Sequence, residues 1–453
     1  MFNLTTPGSD VRLLFVTRAV RLFAFGFLSV ILVLYLTEVG LGYRAIGFLL
    51  TMTLLGDTVI SLWMTTRADR LGRKTMLIAG AVLMAAGGLV FAFTDSFFWL
   101  LLAATIGVLS PSANEVGPFL AIEQAALAQA VDGSQRTQIF ARYHLVGYLA
   151  TAGGALACGL VDRALLEQSV PVVQRYRLIL LGYAAAGVLL AILFTLVSGA
   201  VEIGGSKSNP GILPAQGTRL GLHGVSGTVE SGGSKSNPGI LPARGTRLGL
   251  HRSFGVVLKL SGLFALDAFA GGFVPQSIVA GWFALRFQPD PVALGGIFFG
   301  ANLLSAVSAL GASWLARRYG LINTMVFTHV PANLFLILLA FMPTLSGAVV
   351  VLFIRSAISQ MDVPARQSYT IAVVSPDERS AAAGVTGVAR TTGAALSPVL
   401  AGLLLADPAL TAGPFVAAGL LKLLYDGLLF RLFRHARPPE EQHRGSQREK
   451  ASV

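Results

Sequence analysis

The sequence is poor in charge and in the residues that carry catalysis or cross-linking. Only 12% of its 453 residues are Asp, Glu, Lys or Arg, and it has six His and a single Cys, Cys158. Soluble globular domains carry about 25% charged residues, so this composition excludes an ordinary soluble enzyme and a disordered chain. One cysteine excludes an intramolecular disulfide and a cysteine-rich metal site. Because the sequence has no Walker A loop, no Gly-x-Ser-x-Gly elbow and no metal-ligand spacing, we expect no catalysis, no cofactor and no metal.

Long apolar runs are what the sequence has in abundance. AVILMFWYC residues make up 54% of the chain, and the mean hydropathy is +0.70. A bilayer core of about 30 Å needs about 20 apolar residues in a helix. Twelve runs are close to that length, which predicts an all-α membrane protein with twelve transmembrane helices. The predicted spans are 13–36, 45–65, 75–94, 97–121, 138–160, 177–199, 254–283, 292–315, 322–342, 346–364, 381–405 and 411–433.

One long link divides the twelve spans into six and six. It contains a tandem repeat, in which Val197–His223 and Val225–His251 differ at three positions. Gly, Ser, Pro and Asn are frequent in both copies, so we expect a flexible linker. The predicted organisation has four parts. These are an N-terminal six-helix bundle over 1–199, a linker over 200–253, a C-terminal six-helix bundle over 254–435 and a basic tail over 436–453.

Lysine and arginine are distributed unequally between the two sides of the predicted spans. Links and termini on one side carry about 25 of them and the other side about 5, which is a strong positive-inside signal. The net charge of +12 therefore reflects orientation in the bilayer, and we expect no nucleic-acid partner. The pattern predicts a multi-pass protein of the plasma (inner) membrane, with the linker and both termini in the cytoplasm.

The link after the second span carries a recognisable motif. Thr65–Lys74 reads TTRADRLGRK, and a degenerate copy, SWLARRYG, follows the eighth span at Ser313–Gly320. The motif resembles the cytoplasmic signature of the major facilitator superfamily (MFS). The resemblance implies two pseudo-symmetric six-helix bundles that move a small-molecule solute by alternating access, and we expect a monomer. It also assigns a latch that controls the conformational switch to five residues, Asp69, Arg70, Gly72, Arg73 and Lys74.

Several ionisable residues fall inside predicted spans. Each costs about 2.5–3.5 kcal/mol at the bilayer centre on insertion scales, so each needs a reason to be there. The resemblance implies that the first, fourth, seventh and tenth spans line the central cavity. The candidates for solute binding or proton coupling are Asp57, Glu115, Asp267, Arg21, Arg355 and Arg390. The alternative is that these acids and bases form buried pairs that lock the bundle.

Two further pairs of charges are spaced four residues apart. Asp362 and Arg366 are expected to form a structural or gating pair near the cytoplasmic end of the tenth span. Lys422 and Asp426, on the twelfth span, are expected to neutralise each other.

The sequence favours a secondary carrier over other classes of membrane protein. Our first hypothesis is proton-coupled export of a small organic solute, with Asp267 carrying the proton together with Glu115 or Asp57. The alternative is uptake or exchange of an organic anion through Arg355 and Arg390, because guanidinium pairs well with carboxylate and phosphate. A non-transporting sensor or a channel is a different class that the sequence leaves open.

Overall fold

A computed structural model describes residues 9–115, 117–130, 136–198, 250–375 and 378–434. Within these ranges the fold is built from fifteen α-helices and one 3₁₀ turn at Pro408–Leu410. The helices are α1 (Ser9–Glu38), α2 (Tyr43–Leu71), α3 (Arg73–Phe93), α4 (Phe97–Ile106), α5 (Phe119–Ala130), α6 (Arg136–Glu167), α7 (Val172–Thr195), α8 (Phe254–Gly271), α9 (Gln276–Phe287), α10 (Pro291–Tyr319), α11 (Leu321–Leu339), α12 (Leu345–Ser359), α13 (Asp362–Ala372), α14 (Arg379–Leu405) and α15 (Gly413–Phe433).

These helices form twelve spans, three of which are interrupted. Nine helices form a span alone, and the pairs α4/α5, α8/α9 and α12/α13 form the fourth, seventh and tenth spans. Ten stretches in the described ranges are long and apolar enough to cross a bilayer. The fourth span is not among the ten because its two helices have 10 and 12 residues. The twelfth is the 21-residue α15, which carries Lys422 and Asp426. The predicted fold class is confirmed.

The interruption of the fourth span follows from its sequence. Val108, Ala113 and Gly117 have positive φ, and two prolines lie within or beside the break. Irregular backbone at membrane depth is tolerated where protein groups satisfy its polar atoms. Here the Tyr183 hydroxyl donates to the carbonyl of Val108 at 2.7 Å. The N–H of Gly117 donates to Asp57 at 2.6 Å.

The helices before and after the linker form two halves, which meet closely at one end of the molecule. We call it the far end, because it lies opposite the tail end, where α1 begins and α15 ends. α2 packs against α14 and α6 against α10. A Cβ on Gly402 would lie 2.8 Å from the Cα of Gly47, and a Cβ on Gly159 would lie 3.1 Å from the Cα of Gly295. These glycines therefore let the backbones of the two halves touch.

The surroundings of α14 differ between the far end and the tail end. The close contacts of α2 with α14 involve Gly47 and Thr51, near the start of α2. Nearer the tail end of α14, a Cβ added to Gly384 or Gly387 would meet no atom within 4 Å. The halves are therefore in close contact near the far end, and α14 has open space beside it near the tail end.

Candidate functional site

Arg21 is the centre of a charge cluster in the first half. Its side chain is fully buried, and its Nε donates to Glu115 at 2.7 Å. Its two terminal nitrogens donate to both carboxylate oxygens of Glu123, at 2.8 and 2.6 Å. Thr17 donates to Glu123 at 3.0 Å, and the Tyr143 hydroxyl donates to the same carboxylate. Arg21 is thus held inside the bundle by two carboxylates.

Arg18 completes this first-half cluster. It donates to Glu115 at 2.8 Å, and its guanidinium lies over the ring of Tyr143, 4.2 Å from the centroid. Two arginines therefore share two glutamates. Glu123 was not among the sequence candidates because it lies just beyond the predicted end of the fourth span. Helical spacing offered a signal, since Glu123 is eight residues after Glu115. The predicted role of Arg21 and Glu115 in the solute path remains a prediction.

Asp57 lies beside this cluster without joining its ion pairs. It accepts hydrogen bonds from the N–H of Gly117 at 2.6 Å and from the Ser61 hydroxyl at 3.3 Å. Among the described residues it has no ion pair. Asp57 thus holds the segment that leads into α5.

Asp267 is the centre of a second cluster, in the second half. Its carboxylate contacts Lys422 at 2.6 Å, Arg366 at 3.0 Å and Arg390 at 3.5 Å. His329 lies 3.8 Å away on the same carboxylate. The Asp267 side chain is only 6% exposed, so one buried carboxylate forms ion pairs with cations from α13, α14 and α15.

The predicted pair of Asp362 and Arg366 is present in this half. The two side chains lie 3.1 Å apart, but Arg366 also reaches Asp267. The tenth span continues to Ala372, so this buried pair lies at the start of α13, beside the break of the span, and the end of the span is farther along the chain than expected.

The prediction that Lys422 and Asp426 neutralise each other is wrong. Lys422 bonds to Asp267, whereas Asp426 accepts hydrogen bonds from His329 at 2.8 Å and Asn333 at 3.0 Å. The reason is that α8 and α11 both pack on α15 and each provides a better partner.

Arg355 and Arg390 differ from the other cations. Arg355 is half-buried on α12, and its Nε is buried without a hydrogen-bond partner among the described residues. It also has no ion pair there. The Nη1 of Arg390 is near Asp267 but makes no hydrogen bond, and 35% of the Arg390 side chain is exposed. Both arginines therefore retain donors without acceptors.

Polar contacts also join the two halves where the fourth and seventh spans are interrupted. Gln276, the first residue of α9, donates to the Ser29 hydroxyl at 2.8 Å and accepts from Asn302 at 3.1 Å. The N–H of Ser277 donates to the carbonyl of Pro111 at 2.9 Å. The breaks of the fourth and seventh spans therefore meet, and this contact must separate if the far end opens.

The predicted latch residues lie between α2 and α3. Gly72 has φ of +94°, which favours glycine, and it ends one helix and starts the next. Lys74 donates to the carbonyls of Thr195 and Val197 at 2.7 and 2.9 Å, so it caps the C-terminus of α7. Arg70 is exposed and Arg73 is buried. The side chain of Asp69 lies outside the described part of the chain. The latch function remains a prediction.

Glu378 holds the start of the second half at the tail end. Its carboxylate accepts from the backbone N–H groups of His251, Arg252 and Ser253, at 2.5 to 2.8 Å. Burial opposes its charge, but the hydrogen bonds from Ser253 and from these N–H groups lower the pKa of the Glu378 carboxyl group from 4.5 to about 2. The junction of the linker and α8 is thereby attached to the loop before α14.

Comparison with known proteins assigns this architecture to a family. The family model of the Major Facilitator Superfamily matches residues 14–361, and a second match covers 265–453. The chain belongs to the Major Facilitator Superfamily. An uncharacterised membrane protein of Saccharomyces cerevisiae is 28% identical over 398 residues, which is 87% of this chain and 88% of the yeast protein. The chain is thus a multi-pass membrane protein of a family of solute transporters.

Solved structures of transporters share the fold at low sequence identity. A bacterial homologue of the human lysosomal transporter Spinster, in an inward-facing unoccupied conformation, is 16% identical with a TM-score of 0.65, over 94% of this chain and 96% of that one. The nucleoside transporter NupG is 13% identical with a TM-score of 0.67, over 94% and 100%. The human organic anion transporter TETRAN is 17% identical with a TM-score of 0.55, over 94% and 100%. These likenesses concern the fold alone.

Proposed function

We propose that this MFS protein is a proton-coupled secondary carrier that exports a small organic solute through the cavity between its halves. The observation that carries the proposal is the cluster around Asp267. One buried carboxylate contacts three cations on three helices, at 2.6, 3.0 and 3.5 Å. Any change in the charge of Asp267 therefore alters the pairing of α8 with α13, α14 and α15.

Proton movement would be coupled to transport because the cations of this cluster differ in whether they have a second carboxylate partner. Arg366 keeps Asp362 as a partner, at 3.1 Å, if Asp267 takes up a proton. Lys422 has no other carboxylate within ion-pair distance among the described residues. An unpaired buried charge costs several kcal/mol, as an order of magnitude. The three cations favour the charged form of Asp267, so the carboxylate would take up a proton in a state of the carrier in which these contacts are broken and Lys422 finds water or another partner.

The proposed direction rests on the expected orientation of the chain. The halves are in close contact at the far end, so we infer a cavity that opens at the tail end. The lysines and arginines of the links lie at the tail end, and this positive-inside pattern favours a cytoplasmic position for it. A cytoplasmic solute would enter there and leave when the far-end contact of Gln276 with Ser29 separates. Both halves and both clusters belong to one chain, so we propose that the carrier works as a monomer in the plasma membrane.

The test uses purified protein in liposomes that hold a pH-sensitive dye. A proton gradient is imposed, and a panel of organic anions, cations and neutral compounds is added. We expect a solute-triggered proton flux with the wild type that is lost in Asp267→Asn. Glu167→Gln is the matched control, because Glu167 is 65% exposed in a pair at the far end of α6. Solute transport that responds equally to the pH gradient in Asp267→Asn would refute the proposed coupling.

A further inference from the structure

We propose that the solute is an organic anion and that Arg390, with Arg355, binds its carboxylate or phosphate group. This inference rests on the proposed function, since it names the class of solute that the carrier moves. It is drawn from guanidinium groups of the second half whose hydrogen-bond donors have no protein acceptor.

Arg390 has one edge toward Asp267 and another that is open. Its contact with Asp267, at 3.5 Å, is the longest of the three cation contacts of that carboxylate. The Nη1 atom on that side makes no hydrogen bond, while 35% of the side chain is exposed. A guanidinium has five N–H donors in a planar fork that matches a carboxylate or phosphate. The open edge of Arg390 can therefore bind an anion without breaking a strong contact.

The exposed edge of Arg390 faces the interior of the molecule and not lipid. The apolar residues Val388 and Leu396 of α14 are 44% and 49% exposed, and they mark the lipid side of the helix. At 100° per residue, Arg390 points about 160° away from Val388 and about 120° away from Leu396. Gly393 and Gly402 on α14 contact Ala265 of α8 and Gly47 of α2. Arg390 lies between those two contact directions, on the side of α14 that faces α8 and α2.

Arg355 is a second cation that points away from the lipid side of its helix and has a donor without an acceptor. On α12 the exposed apolar residues are Val350 and Ile354, at 56% and 43%. Arg355 points about 100° away from Ile354 and about 140° away from Val350, toward the buried side of the helix. Its Nε is buried without an acceptor, and no ion pair reaches it within the described residues. An anion from outside the chain would supply the acceptor that this Nε lacks.

The formal charges of the second half support the same class of solute. Apart from His329, four cations face three carboxylates in the described interior of this half. The cations are Arg355, Arg366, Arg390 and Lys422, and the carboxylates are Asp267, Asp362 and Asp426. The buried Tyr425 hydroxyl also has no hydrogen-bond partner among the described residues. Donors and positive charge are thus in excess, and an anion would balance both, whereas a cationic solute would add to the excess.

The test measures binding and does not depend on transport. Purified protein in detergent is titrated with benzoate, phenyl phosphate and citrate, and with neutral benzamide and cationic benzylamine as comparison compounds. Binding is followed by isothermal calorimetry and by the thermal unfolding midpoint. The variants are Arg390→Gln and Arg355→Gln. Arg379→Gln is the matched control, because Arg379 is an exposed arginine on the same helix, α14.

We expect at least one anion to bind to the wild type and to Arg379→Gln, and benzamide and benzylamine not to bind. Arg390→Gln should weaken that binding by about 10- to 100-fold, the usual loss for a charged hydrogen bond. Arg390→Lys keeps the charge beside Asp267 but loses the planar fork, so it should fold and bind with intermediate affinity. If no anion binds, or if Arg390→Gln and Arg390→Lys bind as tightly as the wild type, the inference is wrong.

This outcome is independent of the proposed coupling. Anion binding that requires Arg390, without any proton flux in liposomes, would reject the coupling and keep the anion site. Proton flux driven by a neutral or cationic solute would keep the coupling and reject the anion site.

Discussion

Replacing Glu123 by glutamine should destabilise the first half strongly. Glu123 binds both terminal nitrogens of Arg21, and neither side chain is exposed. In Glu123→Gln, the two arginines of the cluster would share Glu115 as their one remaining carboxylate. Removing one partner of a buried ion pair costs about 3–5 kcal/mol, because the other charge stays buried without compensation. The free energy of unfolding should fall by that amount.

The matched comparison is Glu167→Gln, which removes an ion pair of the same type from the surface. Arg163 and Glu167 are 53% and 65% exposed. Exposed pairs contribute about 0–1 kcal/mol, so this variant should unfold like the wild type.

Thermal unfolding in detergent distinguishes the two variants. A change of 1 kcal/mol shifts the midpoint of a domain of 150–250 residues by about 2–4 °C, so Glu123→Gln should lower it by on the order of 10 °C. Equal midpoints for Glu123→Gln and Glu167→Gln would refute the claim that the buried pair holds α1 to the fourth span.

Three further predictions concern the linker, the far end and the tail end. Deleting residues 197–224 removes one copy of the repeat and places an identical Val-Ser pair at the end of α7, so transport should persist. Loss of transport would show that the protein needs both copies. A Cβ on Gly402 would lie 2.8 Å from the Cα of Gly47, so Gly402→Val should separate the two helices and favour opening of the far end. A cysteine introduced as Tyr43→Cys should then react faster with a thiol reagent, and an unchanged rate of labelling would contradict this. The lowered pKa of Glu378, about 2, means that its contacts stabilise the junction above its usual pKa of 4.5 and are lost as the pH falls through about 2. Glu378→Gln should therefore speed proteolysis at that junction at neutral pH, and proteolysis at the wild-type rate would argue against the contact.

The number of spans could be predicted from sequence because apolar runs of about 20 residues have few alternatives in a chain this hydrophobic. The end of the tenth span could not be predicted in the same way. The predicted span stopped at residue 364, because Asp362 and Arg366 reduce the local hydropathy. In the fold the span continues as α13 to Ala372, because Asp362 and Arg366 pair with each other and Arg366 also pairs with Asp267.

The presence of charged residues inside the spans could also be predicted, but their partners could not. Spacing along one helix suggested that Lys422 and Asp426 pair, yet each bonds to a residue on another helix. Such partners depend on how α8, α11 and α15 pack, and the order of residues in the sequence does not contain that information. Glu123 and His329 also contact charged residues on other helices, and these contacts likewise depend on how the helices pack.

The most direct test of the proposed mechanism is whether the charge of Asp267 controls the separation of the halves. Spin labels on Thr65→Cys of α2 and Gly384→Cys of α14 would report the width of the tail end, and the native Cys158 is fully buried. Distances would be measured in lipid by pulsed electron resonance at mildly alkaline and mildly acidic pH, in the wild type and in Asp267→Asn. We expect a distance distribution that shifts with pH in the wild type and is constant in Asp267→Asn. A distribution that ignores pH, or that shifts equally in Asp267→Asn, would contradict the mechanism.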